Sequence, residues 1–452
     1  MVDAMVNSVE DYLIEGLSFK LQPGASYVTD RRSVSFFPAG SNVYVAQTGT
    51  RVIRINLTGE GWLDPSTVRL LFTLRNNDGA KVLIPLSGGW SFYRRARCLV
   101  GGSIVDDVDY YNRVHEMLHI LTSRANRDDD DIEGMGYRWD STTNYGPTNV
   151  TYGNYPGIAQ GSAKAMSFKP LFGLFNQPKL IPLMWCPLTL EFEVVSLATD
   201  PLLVAAAGRN DAGDPVSGEL SGSWQIEDVQ IKCDLVTLDS ALQNSYAEHV
   251  LSGKALPLNY STYITQFQTL ANGLPMIVNV TRAVSRLKSV FFNFDRDRPT
   301  PAVGDKSTYY NKDFNSFMHP MLGGYNFNNE LQLSVQIGSK LFPEYPIRSA
   351  SEAYYQLKKA LGIHGSAFHS ISPTFKQYIK DHFIVGIDTE KILEAGFTGL
   401  NTRTGDLMVI RAQGANGALA NTQFATYASK LYIILHTDQL LEIRDVGTQV
   451  FD

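Results

Sequence analysis

Hydrophobic and polar residues alternate along much of the chain, and this alternation is typical of strands that bury one face. It is clearest over residues 68–74, 229–235 and 331–337. Clusters rich in Gly, Asn and Pro, such as residues 76–79 and 153–157, separate the alternating segments. Many short strands joined by long polar loops predict antiparallel β-sandwiches rather than repeated strand–helix–strand units.

Few segments have the periodicity of a helix. Ser349 and Glu352 form a capping-box sequence ahead of a helix that we expect to end at Leu361, where Gly362 follows. A second helix is predicted over about residues 111–121. These helices are few beside the many alternating segments, so the sequence favours a mainly β protein.

The first 17 residues also have helical periodicity. Their apolar residues recur at steps of three and four positions, which predicts an amphipathic helix. These residues are Val2, Met5, Val6, Val9, Tyr12, Leu13 and Leu17. The helix either packs on the core of its own chain or forms an arm that docks on another surface, and the sequence leaves both possibilities open.

The two halves of the chain repeat one order of elements. In each half a strand leads through a glycine turn into a helix, around residues 99–104 in the first half and 335–341 in the second. Each half also ends on a long apolar strand, over residues 224–238 and 427–443. We therefore predict two tandem β-sandwich domains. The predicted boundaries are an arm over residues 1–25 and domains over 26–238 and 239–452.

The composition agrees with a protein that has a large core and large protein–protein contacts. Of 452 residues, 44% are hydrophobic and 11% aromatic, while only 19% are charged, which excludes a disordered chain. The net charge is −6, and the longest basic cluster is at residues 94–97. A duplex-binding protein needs a basic face, so we expect no direct contact with nucleic acid.

Cysteine use and the first residues bear on the compartment. Cys98, Cys186 and Cys233 are far apart in sequence, which fits buried thiols in a reducing compartment and no metal-spaced pair. The sequence begins without the basic and apolar regions of a signal peptide, and no apolar stretch is long enough to cross a bilayer. We therefore expect an intracellular, soluble protein in which the four Asn-X-Ser/Thr sequences, at residues 56, 149, 259 and 279, arise by chance.

One motif could support catalysis. Residues 115–119 are His-Glu-Met-Leu-His, and on a helix His115 and His119 would share a face and could bind zinc while Glu116 polarises a bound water. Three features weigh against this site: the third histidine of the extended motif is missing, the acidic stretch 128–131 follows, and the surroundings are rich in strands. We expect no catalytic residue, cofactor or metal, and keep a zinc hydrolase as the alternative.

The acidic stretch at residues 128–131, with Glu133 after it, could in principle bind calcium through its carboxylates. It lacks the central glycine and the bidentate glutamate spacing of an EF-hand loop, so we interpret it as a solvated acidic loop. The glycines between residues 396 and 417 do not form a phosphate-binding loop and are interpreted as turns.

Five segments, in order along residues 90–410, resemble major capsid proteins of double jelly-roll DNA viruses, the lineage of polinton-like viruses, virophages and nucleocytoplasmic large DNA viruses. The segments are residues 98–106, 168–176, 180–192, 337–342 and 399–407. The family-motif turns within them are at Gly101, Gly102, Asp106, Pro182, Gly338, Phe342, Gly399 and Asn401. Lys340 departs from the family pattern, which usually has arginine there.

The resemblance implies an all-β fold of two tandem eight-stranded antiparallel jelly rolls, with a few short helices in loops. It implies a structural protein rather than an enzyme, located in the virion after synthesis in the host cytoplasm or nucleus. Three copies would form a pseudo-hexagonal capsomer of an icosahedral shell. In this family the helix after the Gly-Gly turn is a structural element, which further weakens the zinc hypothesis for His115 and His119.

The resemblance also implies partners. The chain would bind further copies of itself and, through its N-terminal arm, minor capsid or penton proteins or an internal membrane. The long polar segments 122–166, 205–222 and 296–328 would lie at the top of the shell or between chains. A trimeric β-sandwich lectin or adhesin is a further alternative.

Overall fold

A computed structural model gives the fold of the chain. It describes residues 27–47, 49–81, 83–123, 157–202, 221–270, 275–295, 317, 319–320, 331–363, 371, 373–379, 382–390, 399–403, 407–414, 429–445 and 447–451. The predicted N-terminal arm, the acidic stretch at 128–131 and Glu133 lie outside these residues. Of the helices in the described part of the chain, none combines the length and the apolar character that a bilayer-crossing segment requires.

The first half of the chain forms two antiparallel sheets. In order across one sheet, the strands are β1 (Val28–Phe36), β10 (Trp224–Leu238), β4 (Trp62–Asn76) and β7 (Ala163–Phe168), with short β2 (Val43–Tyr44) beside β10 and β8 (Ile181–Pro182) beside β4. The other sheet consists of β3 (Val52–Leu57), β9 (Leu188–Val194), β5 (Tyr93–Val100) and β6 (Ser103–Asp109).

The second half forms two further antiparallel sheets. In order across one sheet, the strands are β11 (Leu256–Thr269), β18 (Lys430–Arg444), β13 (Leu287–Asp295) and β16 (Ile384–Asp388), with β19 (Gly447–Phe451) beside β18. The other sheet consists of β12 (Met276–Val280), β17 (Met408–Gly414), β14 (Leu331–Ile337) and β15 (Lys340–Ile347).

Both halves have the strand order of a jelly roll. When the eight principal strands of each half are lettered B to I along the chain, the sheets of both halves have the orders B-I-D-G and C-H-E-F. In this order two Greek keys wrap into a pair of packed sheets. The prediction of two tandem eight-stranded antiparallel jelly rolls is confirmed.

The hydrophobic side chains of the alternating segments fill the space between the sheets. On β4, Val68, Leu70, Phe72 and Leu74 are all fully buried, whereas Arg69 between them is partly exposed. Each such side chain stabilises the fold by about 1.5–3 kcal/mol on burial. A slip of one residue would exchange the two faces of the strand, so this core determines the register as well.

Helices lie outside the sandwiches. The described helices are α1 (Tyr111–Leu121), α2 (Ser240–Leu251), α3 (Ala350–Ala360) and the single turn α4 (Phe375–Tyr378). Short 3-10 turns occur at Gly89–Phe92 and Gly173–Phe175. The helices α1 and α3 are placed as the sequence predicts, each following the F strand of its jelly roll.

The start of α3 differs from the capping box that the sequence predicts. The Ser349 hydroxyl accepts a hydrogen bond from Glu352 N, as expected. The Glu352 carboxylate, however, accepts from Arg348 N at 2.9 Å rather than from the N-cap residue itself. Gly362 adopts a φ of +70°, a left-handed conformation that suits glycine after a helix.

Helix α2 was not predicted, and it lies between the last strand of the first jelly roll and the first strand of the second. Asp239 caps it by accepting a hydrogen bond from Ala241 N. Only Val250 of its twelve residues is buried, so the helix has no strong apolar stripe to reveal it in the sequence.

The three cysteines are buried free thiols, as the sequence predicts. Burial raises the pKa of Cys186 and of Cys233 to about 12, because the thiolate is poorly solvated inside the protein. Both side chains are therefore protonated near neutral pH and behave as small apolar groups.

Candidate functional site

The two histidines of the His-Glu-Met-Leu-His motif line one cavity, of about 260 Å³, beside helix α1. The His115 ring stacks on Trp90, with ring centroids 4.4 Å apart and an interplanar angle of 15°. The His119 ring lies 4.6 Å from the same indole. The histidines therefore share a face, as the spacing predicts, and that face packs on an aromatic side chain.

Glu116 is held in a structural role. Its side chain is fully buried, and Oε2 accepts hydrogen bonds from Trp90 Nε1, at 2.8 Å, and from Ser87 Oγ. These bonds tie α1 to the 3-10 turn that contains Trp90. Among the described residues, no group of three His, Cys, Asp or Glu side chains is arranged to hold a metal. The geometry favours a packed helix over a zinc site.

The two jelly rolls meet along a surface that we call the internal interface. The first jelly roll contributes β6, α1 and the 3-10 turn Gly173–Phe175. The second contributes strands β11, β13 and β18, with β19 against β6. The F strand and the following helix of one jelly roll therefore dock on the B, I and D strands of the other.

The backbones come closest at Gly173. A Cβ atom at this position would lie 2.1 Å from the carbonyl oxygen of Ser261 on β11, much closer than atoms can approach. Only glycine permits this contact without moving one jelly roll away from the other. Gly173 therefore sets the distance between the two domains at this point.

The buried carboxylate of Asp106 on β6 lies at the internal interface, beside this contact, and forms a hydrogen bond across it. It accepts a hydrogen bond from the Thr262 hydroxyl of β11 and a longer one, 3.4 Å, from Leu174 N. Nearby, the Tyr260 hydroxyl donates to the carbonyl oxygen of Val105 at 3.0 Å. Burial raises the pKa of Asp106 to about 6, because loss of water penalises the charged form more than these hydrogen bonds stabilise it.

A buried ion pair lies farther along the same surface. Arg113 Nη2 of α1 is 2.9 Å from Asp295 Oδ2 at the end of β13, and both side chains are only 8% exposed. The guanidinium lies 6.0 Å from the centre of the Tyr432 ring, and Tyr110 packs on Tyr432 with ring centroids 5.2 Å apart. This ion pair forms only when the two jelly rolls are docked.

The glycine turns among the family-motif positions lie on hairpins. Gly101 and Gly102 form the turn between β5 and β6 with φ values of +54° and +88°, and Gly338, with φ +59°, starts the corresponding turn between β14 and β15. Their positions are equivalent in the two jelly rolls, because each turn joins the E and F strands. The structure thus places the glycine turns on equivalent hairpins.

The remaining motif residues have local roles. Pro182 lies on β8 opposite Trp62, and Phe342 lies on β15, partly buried. Gly399 packs so tightly that a Cβ would lie 2.4 Å from the Arg286 backbone, and Asn401 Oδ1 accepts a hydrogen bond from Arg403 N. The eight motif positions do not converge on one pocket, and the Asp106 side chain accepts a hydrogen bond across the internal interface.

The second jelly roll leaves exposed the elements that the first uses at the internal interface. Nine of eleven residues are buried in α1, but only three of eleven in α3. The strand β15 exposes four of eight residues, against two of seven in β6. Tyr345 of β15 is 75% exposed and Tyr355 of α3 is 57% exposed. We call β15 and α3 the free docking surface.

The first jelly roll has the complementary exposure. Its B strand, β1, exposes seven of nine residues, whereas β11, the B strand of the second, exposes four of fourteen. Ion pairs of Arg31 with Asp64 and Asp234 lie on the adjoining surface of β1, β10 and β4. We call this surface the receiving surface, because its counterpart in the second jelly roll receives β6 and α1.

Comparison with known proteins assigns the fold. No protein-family model matches the chain, and no curated protein is similar to it in sequence. Solved structures match it over nearly its whole length. PBCV-1 VP54, fitted into a reconstruction of the virophage Sputnik, has a TM-score of 0.61 at 12% identity and covers 96% of this chain and 100% of its own.

Two further structures match in the same way. A chain of the Sputnik virophage structure has a TM-score of 0.58 at 11% identity, covering 96% of this chain and 90% of its own. The Faustovirus major capsid protein has a TM-score of 0.55 at 9% identity, covering 94% and 92%. The chain has the double jelly-roll fold of major capsid proteins of DNA viruses and virophages, which confirms the resemblance at the level of the fold.

The close approach at Gly173 yields a first prediction. Gly173→Ala should lower the free energy of unfolding by about 2–3 kcal/mol, because the new methyl group must separate the jelly rolls. Gly79→Ala is the control, since a Cβ there meets nothing within 4 Å, and it should change stability by less than about 0.5 kcal/mol. Urea denaturation measures both. Equal stability of the two variants would show that the backbones are not in contact at Gly173.

The buried ion pair yields a second prediction. Arg113→Met should cost about 3–5 kcal/mol, because it removes the cation that pairs with the buried Asp295 carboxylate. Adding Asp295→Leu should recover most of this loss. Arg75→Met breaks the more exposed pair with Glu227 and should cost less than about 1 kcal/mol. Denaturation of the four proteins tests this, and a double variant no more stable than Arg113→Met would contradict it.

The raised pKa of Asp106 yields a third prediction. The folded protein binds this proton more tightly than the unfolded chain, so the group's contribution to stability is greatest below about pH 4 and decreases as the pH rises through about 6. The expected decrease is about 3 kcal/mol. Asp106→Asn should remove this part of the pH dependence of unfolding. If wild type and variant lose stability in parallel between about pH 4 and pH 7, Asp106 is not the titrating group.

Proposed function

We propose that this protein is a major capsid protein that forms pseudo-hexagonal homotrimers and, from them, the icosahedral shell of a double-stranded DNA virus. The observation that supports this most strongly is the unequal exposure of equivalent elements. Strand β6 packs on β11 and β19 of the second jelly roll, and Arg113 of α1 pairs with Asp295 there, whereas the equivalent elements β15 and α3 remain exposed.

The proposed trimer repeats the internal interface between chains. The free docking surface of one chain contacts the receiving surface of the next, so that an F strand and its helix again meet B, I and D strands. Three such contacts close a ring of six jelly rolls, three internal interfaces alternating with three intermolecular ones. A head-to-tail contact of this kind generates a closed ring when the rotation fits.

The chemistry of the two surfaces suits this contact. Tyr345 and Tyr355 provide exposed aromatic groups of the kind enriched at the centres of protein interfaces. Lys358 and Lys359 follow Tyr355 in the last turn of α3 and supply positive charge on the same element. Opposite, the receiving surface has the Arg31, Asp64 and Asp234 cluster. An aromatic centre with a charged rim is the usual composition of a specific interface.

In the proposed virion the partners are further copies of the chain, with minor capsid or penton proteins as additional partners. The net charge of −6 makes direct binding of the genome unfavourable, because the protein lacks the cation excess that neutralises phosphates. Shell formation therefore depends on contacts between proteins.

The trimer model yields a fourth prediction. Tyr345→Glu places a carboxylate at the centre of the proposed contact and should convert a trimer of about 150 kDa into monomers of 50.1 kDa. Ile277→Glu is the matched control, because Ile277 is 62% exposed on β12, outside both surfaces. Native mass spectrometry distinguishes the two masses.

The control should remain trimeric at concentrations where the Tyr345 variant is monomeric. Both variants should retain the circular dichroism spectrum of the wild type, because both positions are exposed in the single chain. A trimeric Tyr345→Glu variant would place the intermolecular contact elsewhere on the molecule.

A further inference from the structure

An apolar groove lies where the two jelly rolls and helix α2 come together. Its volume is about 460 Å³. Its lining comes from three parts of the chain, namely Trp62 and Pro182 of the first jelly roll, Leu242 and Tyr246 of α2, and Leu256 of the second jelly roll. Trp62 and Tyr246 pack with ring centroids 5.0 Å apart and form one wall. The shape and the apolar lining suit the hydrophobic face of a helix.

The described chain begins at the rim of this groove. Val28, the first residue of β1, pairs with Leu238, which itself lines the groove. Asp239 N donates a hydrogen bond to the carbonyl oxygen of Tyr27 at 2.9 Å. Residues 1–26 are therefore attached directly beside the apolar surface.

The attached segment has the length and pattern to occupy the groove. The sequence predicts an amphipathic helix over residues 2–17, about 24 Å long. The connecting residues 18–26 span up to about 30 Å when extended, so they allow the helix to turn back onto its own chain. The tether also raises the local concentration of the segment to the millimolar range, which favours its own groove over that of another molecule.

The charge of the segment favours binding in the groove over binding to a membrane. The first 20 residues contain four acidic side chains and one basic side chain. The acidic residues are Asp3, Glu10, Asp11 and Glu15, and the basic one is Lys20. Anionic lipid surfaces attract helices rich in Lys and Arg and repel acidic ones. The groove, in contrast, has Lys179 in its lining.

We propose that the amphipathic segment of residues 2–17 binds in this groove of its own chain, with its apolar side against Trp62, Leu242 and Tyr246. The segment then covers the junction of the two jelly rolls and α2. This inference stands apart from the proposed capsid function, because it concerns contacts within a single chain.

Hydrogen–deuterium exchange of the full-length protein, followed by mass spectrometry of peptides from residues 1–26, tests the proposal. In wild type, the amides of the segment should exchange at least about tenfold more slowly than those of an unstructured peptide. Leu242→Glu puts a charge in the groove and should abolish this protection. Leu251→Glu, on the same helix but 69% exposed and outside the groove, should leave it unchanged.

Val9→Asp, which interrupts the apolar side of the segment, should also abolish the protection, and thermal unfolding confirms that each variant is folded. Mixing the Val9→Asp and Leu242→Glu proteins tests which chain supplies the segment. The intact segment of the Leu242 variant should stay unprotected although the Val9 variant offers an intact groove. Restored protection would assign the segment to a second copy and overturn the proposal.

Three further outcomes would also overturn it. A wild-type segment that exchanges as fast as an unstructured peptide does not occupy the groove. Protection that arises only after vesicles containing phosphatidylglycerol are added would identify a membrane as the partner. Protection that is lost equally in the Leu242 and Leu251 variants would place the binding site elsewhere.

Discussion

The backbones of the two jelly rolls touch at Gly173, where no side chain larger than hydrogen fits between them. Beside this point, Asp106 is buried and accepts a hydrogen bond from Thr262 across the interface, and the buried ion pair of Arg113 with Asp295 spans it. Buried polar groups without such partners are costly. The two domains therefore have one favourable relative position, and they act as a rigid unit.

A rigid pair of similar domains is well suited to assembly. Within the chain, the F strand and helix of the first jelly roll contact the B, I and D strands of the second. The F strand and helix of the second jelly roll, and the B, I and D strands of the first, form no such contact within the described part of the chain and lie on its outer surfaces. In the proposed trimer these unused sides meet. The internal contact is then formed on folding and its intermolecular equivalent on assembly, so one geometry serves both processes. The buried charges of the internal contact stay paired during assembly. The outer surfaces have ion pairs that water reaches, such as Arg31 with Asp64, so they are compatible with solvent before the trimer forms.

The sequence predicts much of the fold because the alternating pattern depends on neighbours along the strand. The fully buried Leu70 and Phe72 are evident from residues 68–74 alone, and the glycine turn before α1 is evident from its local sequence. The internal interface is different, because Arg113 and Asp295 are 182 positions apart and nothing local links them. Asp106 was singled out only through the resemblance to capsid proteins, and its partner Thr262 was not predicted.

The histidine motif illustrates the same limit. Its spacing correctly predicts that His115 and His119 share a face, but local sequence does not reveal what lies opposite that face. The structure places Trp90 there and uses Glu116 to fix the indole. Helix α2 was missed for the opposite reason, since a mostly exposed helix has little hydrophobic pattern.

Electron microscopy of the purified wild-type protein, with native mass spectrometry of the same sample, determines whether the chain forms the proposed trimer. We expect particles of about 150 kDa with a pseudo-hexagonal outline, in which six jelly rolls surround one axis and three chains of 50.1 kDa each contribute two. Monomers at all concentrations, or a dimer with a two-fold axis, would contradict it.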